Sequence, residues 1–136
     1  MLVVDASIVV ALISGHPATA EVTDVLRDDP HILAPAHLDA EVLAAFRGRH
    51  LGGHLTREEL ATVADGLASL PVGRVPLDDR DLLRTATRWF GQLTAYDALY
   101  LALAALTGGV VLTGDRGMAR SAAATSVAHR HVDCSA

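Results

Sequence analysis

Four acidic residues stand at positions where a carboxylate could do chemistry. Asp5 ends the β-branched run Leu2-Val3-Val4, and Asp115 ends Val110-Val111-Leu112 by way of Thr113-Gly114. Asp97 lies in Thr94-Ala95-Tyr96-Asp97, at capping-box spacing from Thr94. Glu41 lies in Leu38-Asp39-Ala40-Glu41-Val42, beside an apolar helix face of Leu38, Val42 and Ala45, whereas Asp39 points elsewhere and reads as solvated. Each acid alone also reads as a cap, an Asx turn or a solvated helix residue. Brought together they would repel, raise one another's pKa values and destabilise the fold unless a cation compensated. With oxygen donors, no matched His pair and one cysteine, Cys134, that cation is Mg²⁺ or Mn²⁺ rather than zinc. Such ions keep water and substrate phosphate in their shell, so phosphodiester chemistry is the expectation.

The surrounding pattern says how such acids would meet. A strand over 2–4 leads to a helix over 8–13, which Ser7 would cap and Gly15 and Pro17 would close. A helix over 18–27 carries Val22, Val25 and Leu26 on one face, and a buried strand over 32–34 follows. Helices over 37–49 and 56–70 form a hairpin, the second opened by the capping box Thr56 to Glu59. A strand over 73–77, a helix over 78–93 with Leu82, Leu83 and Trp89 inward, and a helix over 94–106 come next. A strand over 110–112, a helix over 116–124 and an edge strand over 127–132 complete the chain. Alternating strands and helices predict a parallel sheet covered on both faces, with ligands bound beyond the strands' carboxyl ends at a topological switch point. Asp5 and Asp115 both follow such strands and so share one sheet edge, although 110 residues separate them.

Composition narrows the function classes. The 136 residues allow one domain, and 51% hydrophobic with 20% charged residues argues against disorder and against a polybasic tail. Sixteen acids face eleven bases, all Arg, for a net charge of -5, so a polyanion must be held by a local patch. Residues 101–136 are the only third with a positive balance, and they hold Arg116 and Arg120 one turn apart beyond Asp115. Aromatics, at 4%, are too scarce for extended base stacking. Trp89-Phe90 reads as core or partner surface, and His129-Arg130-His131 as a solvated edge strand. His50 and His54 have ligand spacing, but Gly52-Gly53 interrupts the helix between them. The lone cysteine fits a reducing cytoplasm, the apolar run over 98–106 is too short to span a membrane, and the start lacks a signal peptide's basic residues.

Asp5-Ala6-Ser7, the helix acid Glu41, Tyr96-Asp97-Ala98-Leu99-Tyr100-Leu101-Ala102 and Leu112-Thr113-Gly114-Asp115 resemble, in order and spacing, the motifs of PIN-domain nucleases. The resemblance spans nearly the whole chain and is strongest to the VapC-type toxins of bacterial type II toxin-antitoxin pairs. It implies one domain over 1–136, a three-layer α/β/α sandwich with a short, mostly parallel sheet. It further implies a metal-dependent endoribonuclease, usually homodimeric and neutralised by a cognate antitoxin. Carried onto this sequence, Asp5, Glu41, Asp97 and Asp115 become the catalytic and metal-binding quartet, Ser7 and Thr113 their polar support, and Arg116 and Arg120 holders of flanking phosphates. Met118 occupies the neighbourhood where some members place a further acid, so one ion is firm and a second is left open. The reaction would be hydrolysis, with Mg²⁺ or Mn²⁺ activating water, one carboxylate accepting its proton and attack in line on phosphorus.

Two other readings compete. A haloacid-dehalogenase-like phosphatase would want a second acid at position 7, where Ser7 stands, and a lysine, which the chain lacks. A PIN-like interaction module would bind an antitoxin or RNA without cleavage. The anionic cleft suits a basic, apolar antitoxin segment that aims an Arg or Lys at the quartet, with the helices over 8–13 and 18–26 as contact faces for it or for a second copy.

Overall fold

In the computed structural model of the chain, which describes residues 1–135, twelve elements follow in the order β1 (Leu2–Val4), α1 (Ala6–Ser14), α2 (Thr19–Arg27), β2 (Ile32–Pro35), α3 (Leu38–Leu51), α4 (Arg57–Ala68), β3 (Gly73–Val75), α5 (Arg80–Thr87), α6 (Ala95–Thr107), β4 (Val110–Thr113), α7 (Arg116–Ala124) and β5 (His129–His131). The strands form one sheet in the order β3-β2-β1-β4-β5, and every pairing is parallel. The expectation of a mostly parallel sheet is thus met in full.

All three residues of the central strand β1 are buried. Successive side chains point to opposite faces, so helices must cover both sides. On one side α1 packs with α2, α3 and α4; α6 packs with α5 and lies across β1, β2 and β4. Helix α6 is buried without interruption from Ala98 to Ala104, as a helix wedged between a sheet and another helix must be. Gly108 closes it in the left-handed region at φ 66°, where an L side chain would be strained. The capping box on α4 is present in both directions between Thr56 and Glu59.

Several details depart from the sequence reading. The N-cap of α1 is Asp5, not Ser7: Asp5 adopts extended backbone and its carboxylate accepts from the Ile8 amide. Helix α5 ends at Thr87, and Leu83 is exposed while Leu82, Thr85 and Ala86 are buried. The inward stripe therefore follows the three-and-four spacing and leaves Leu83 a hundred degrees away. Ala45 is exposed as well, so the inner face of α3 is Leu38, Val42 and Phe46. Asp39 is not simply solvated, because Arg74 pairs with it at 3.0 Å. Ile8 and Val9 belong to the core with no exposure, whereas Val10, Leu12 and Ile13 of the same helix are only partly buried.

Candidate active site

The site forms where the sheet order reverses, at the carboxyl ends of β1 and β4. Val4 lies opposite Leu112 in the parallel register, so Asp5 emerges beside Thr113. Two hydroxyls then join the strand ends. Ser7 Oγ donates to Asp5 Oδ1 and accepts the Gly114 amide at 2.8 Å. Thr113 Oγ1 donates to Asp5 Oδ2 and accepts the Asp115 amide at 2.9 Å. Ser7 and Thr113 therefore do support the acid, but by direct hydrogen bonds from both sides rather than through helix capping by Ser7. Gly114 must lack a side chain here, since a Cβ would lie 2.6 Å from Cys134 Sγ.

Three of Asp5's four lone-pair directions are taken, two on Oδ1 and one on Oδ2. The residue is 4% exposed. Burial raises its carboxyl to a pKa of about 6, the nearby Asp115 charge adds to the rise, and the bonds from Ser7, Thr113 and Ile8 oppose it. Asp115 is exposed and caps α7 through the Gly117 amide at 2.9 Å.

The other two acids come from helices. Thr94 caps α6 by accepting the Asp97 amide at 3.2 Å, which fixes the first turn and holds Asp97 part-buried near the positive end of the helix dipole. Burial nevertheless raises the Asp97 carboxyl, the Asp115 and Glu41 charges raise it further, and His37 lowers it. Glu41, in the first turn of α3, accepts from Tyr100 Oη at 2.7 Å and lies 3.3 Å from His37 Nε2. Burial and the Glu41 bond together hold the Tyr100 phenol far above its ordinary pKa, with Asp5 and Asp97 adding to the effect. All four predicted carboxylates thus share one electrostatic environment.

Among the described residues, no arginine forms an ion pair with any of the four. Nor do three His, Cys, Asp or Glu side chains close on one point at metal-ligand distance, as like charges that hold one another apart would dictate. An all-oxygen donor set, with Asp5 and Asp97 raised chiefly by burial and further by neighbouring carboxylates, fits a hard dication that takes one or two carboxylates and fills its shell with water. It does not fit zinc.

The arginines divide. Arg120 lines an open groove of about 450 Å³ with Asp97, Asp115, Thr94 and Gln92, one turn beyond the acids, whereas Arg116 forms no ion pair among the described residues but helps to lower the Asp133 carboxyl, after the larger effect of the Ser135 hydrogen bonds. Arg116 also opens α7, against the helix dipole. On the far side of Asp115, a concavity of about 350 Å³ is lined by Ser7, His16, Arg49, Gly114 and Cys134. Burial pushes the Cys134 thiol pKa up, and nearby carboxylates add to the rise.

His37 is the residue that sequence reasoning missed. It is 8% exposed, packs its ring against Tyr100 at 4.7 Å, and faces both Glu41 and the Tyr96 carbonyl. Its spacing of four from Glu41 on one helix was the available signal. His50 and the tail histidines have other places: His50 Nδ1 bonds the Leu55 carbonyl at 2.7 Å where α3 ends, and His129 to His131 form the edge strand β5. Trp89 packs against the core, and Phe90 is exposed.

A family model described as the PIN domain matches residues 2–124. The chain belongs to the PIN domain family, as the strand-end acids and the parallel sheet suggested. Within that family its similarity is to VapC proteins. It is 37% identical over 117 residues to a protein named Ribonuclease VapC1 of Mycobacterium tuberculosis, covering 86% of this chain and 87% of the relative. The fold matches Mycobacterium tuberculosis VapC20, described as a sarcin-ricin loop cleaving toxin, at a TM-score of 0.66 and 17% identity, over 89% of this chain and 95% of the other. It also matches a chain of a toxin-antitoxin complex from Klebsiella pneumoniae at a TM-score of 0.61 and 19% identity, over 85% and 87%.

Proposed function

We propose that the chain is a divalent-metal-dependent endoribonuclease, the toxin of a toxin-antitoxin pair, with Asp5, Glu41, Asp97 and Asp115 as its acidic quartet. The observation that carries this reading is the convergence of four carboxylates from β1, α3, α6 and β4 at the switch point without an arginine to neutralise them. Similarity to a named ribonuclease of the VapC group supports it.

Bound there, Mg²⁺ or Mn²⁺ would make water a nucleophile at neutral pH and offset charge on the scissile phosphate. Asp97, Asp115 and Glu41 hold the ion, while Asp5, mostly occupied by Ser7, Thr113 and Ile8, offers its remaining Oδ2 lone pair and fixes the spacing of the strand ends. One carboxylate of the group accepts the proton of the attacking water. Arg120 holds a flanking phosphate, and Arg116, one turn earlier on α7, holds another. One ion is firm, since Met118 is buried and supplies no further oxygen.

The partner is an antitoxin segment, apolar with a basic residue aimed at the quartet, and the toxin is homodimeric. The docking face is a groove of about 290 Å³ between α1, α2 and the 70–72 loop, lined by Leu12, Leu26, Ile32, Leu70 and Pro71. No helix is long and apolar enough to cross a membrane among the described residues.

The test is incubation of total RNA with the purified chain and Mg²⁺, with mapping of the cleaved ends. Cleavage abolished by EDTA and by Asp97→Asn supports the enzyme. Tight binding of RNA or antitoxin with no cleavage at any metal concentration replaces it with the interaction-module reading.

A further inference from the structure

We propose that Tyr100 and His37 are positioning residues that hold Glu41 Oε1, Tyr100 by a hydrogen bond and His37 by close electrostatic contact, so that Oε2 is the oxygen left free for the divalent cation. The inference rests on the metal-site reading above. Its starting point is a count of lone pairs. A carboxylate oxygen has two; on Glu41 Oε1 one accepts from Tyr100 Oη at 2.7 Å, and His37 Nε2 stands 3.3 Å from the same oxygen.

The donor role of His37 follows from what surrounds it. Nε2 faces two acceptors, Glu41 Oε1 and the Tyr96 carbonyl at 3.1 Å, and neither can donate, so Nε2 carries the hydrogen, which bonds the carbonyl while the ring edge stays against Glu41. The ring is clamped between Tyr96 and Tyr100, with centroids 5.8 and 4.7 Å away. Its Nδ1 is buried without a partner among the described residues, an unfavourable burial that the fold tolerates while orienting Nε2. Tyr96 immediately precedes Asp97, so one imidazole ties the Glu41 carboxylate on α3 to the first turn of α6 that carries Asp97. A free Glu side chain on a helix surface samples several rotamers; here Tyr100 and His37 hold it in one before any cation arrives.

Mn²⁺ binding, read from the loss of the free-ion paramagnetic resonance signal with no RNA present, tests this. His37→Leu and Tyr100→Phe should each weaken Mn²⁺ binding by roughly 10- to 100-fold. His37→Gln, which keeps an N–H donor at the same distance along the side chain, should restore most of that loss. In a Glu41→Gln background neither substitution should weaken binding further, a result that general packing damage would not produce. Wild-type Mn²⁺ affinity in a folded His37→Leu or in Tyr100→Phe overturns the proposal, as does an undiminished loss in the Glu41→Gln background. Should His37→Leu not fold, Tyr100→Phe decides alone. A wild type that binds no Mn²⁺ overturns the metal-site reading together with this one, whereas loss in Asp97→Asn without loss in these variants overturns only this one.

Discussion

Asp39 and Glu41 lie two residues apart on the same helix and meet opposite fates. Asp39 is answered by a cation: Arg74 reaches it through Nη2 at 3.0 Å and Nε at 3.3 Å. The remaining Arg74 N–H groups go to the carbonyls of Leu67, Leu70 and Val72 at 2.7 to 3.0 Å. That knot joins α3, the end of α4 and β3, and leaves no donor unspent. Glu41 is answered by a phenol and an imidazole and sits among Asp5, Asp97 and Asp115. Asp39 thus carries its own counter-charge within the fold, whereas Glu41 has no cationic partner from an arginine among the described residues, the arrangement that a bound cation at the proposed site would complete.

The contrast is broken most severely by exchanging which acid is removed. Asp97→Asn should lower RNA cleavage by about 10³-fold while leaving the far-UV spectrum unchanged. Asp39→Asn should leave cleavage per folded molecule at the wild-type level. Equal losses in the two variants would erase the distinction between the acids.

Next in size is a pH effect that only the crowded region can produce. Asp5 is raised from 3.8 to about 6 in the folded chain, so in metal-free buffer the native state keeps a proton that the unfolded chain has lost. Stability is then greatest below pH 4 as far as this group is concerned, and falls as pH rises through about 6, by on the order of 3 kcal/mol. Asp97, raised for the same reasons, acts in the same direction. Thermal melts between pH 4.5 and 7.5 should show the decline, and Asp5→Asn should flatten it. A wild-type curve that rises over this range contradicts the electrostatics given for the site.

Arg74→Met probes the neutralised region. It strands three carbonyls and one part-exposed carboxylate, which should cost about 2 kcal/mol of stability, read from urea unfolding, with cleavage per folded molecule unchanged. The smallest effect belongs to Arg120→Gln: binding of the inactive Asp97→Asn protein to an RNA oligonucleotide should lose about one unit of salt dependence, log Kd against log salt. An unaltered slope removes Arg120 from the RNA path.

Much of this was legible in the sequence because it is local. The strand-end positions of Asp5 and Asp115, the Thr94 to Asp97 cap and the α4 capping box each lie within a few residues of chain. Their convergence could be argued from parallel-sheet topology alone, because strands running the same way must end at the same edge. The rest depends on partners distant in the polymer. Ser7 read as a helix cap because its bond to the Gly114 amide spans 107 residues. Asp39 read as solvated because Arg74 lies 35 residues on. His37 had a local signal, the spacing from Glu41, but its meaning depends on Tyr96 and Tyr100, 59 residues from His37 and Glu41 respectively. Leu83 and Ala45 looked inward because hydrophobicity ranks a residue, whereas helix geometry decides which way it faces.

The central claim is that the carboxylates at the ends of β1 and β4 are assembled for a divalent cation, and melting with and without Mg²⁺ at pH 7.5 tests it most directly. With Mg²⁺ a hundredfold above its Kd, the wild-type Tm should rise by on the order of 10 °C, and an Asp97→Asn/Asp115→Asn double variant should gain almost nothing. A Tm that Mg²⁺ leaves unmoved in the wild type, or raises equally in both proteins, would contradict the account.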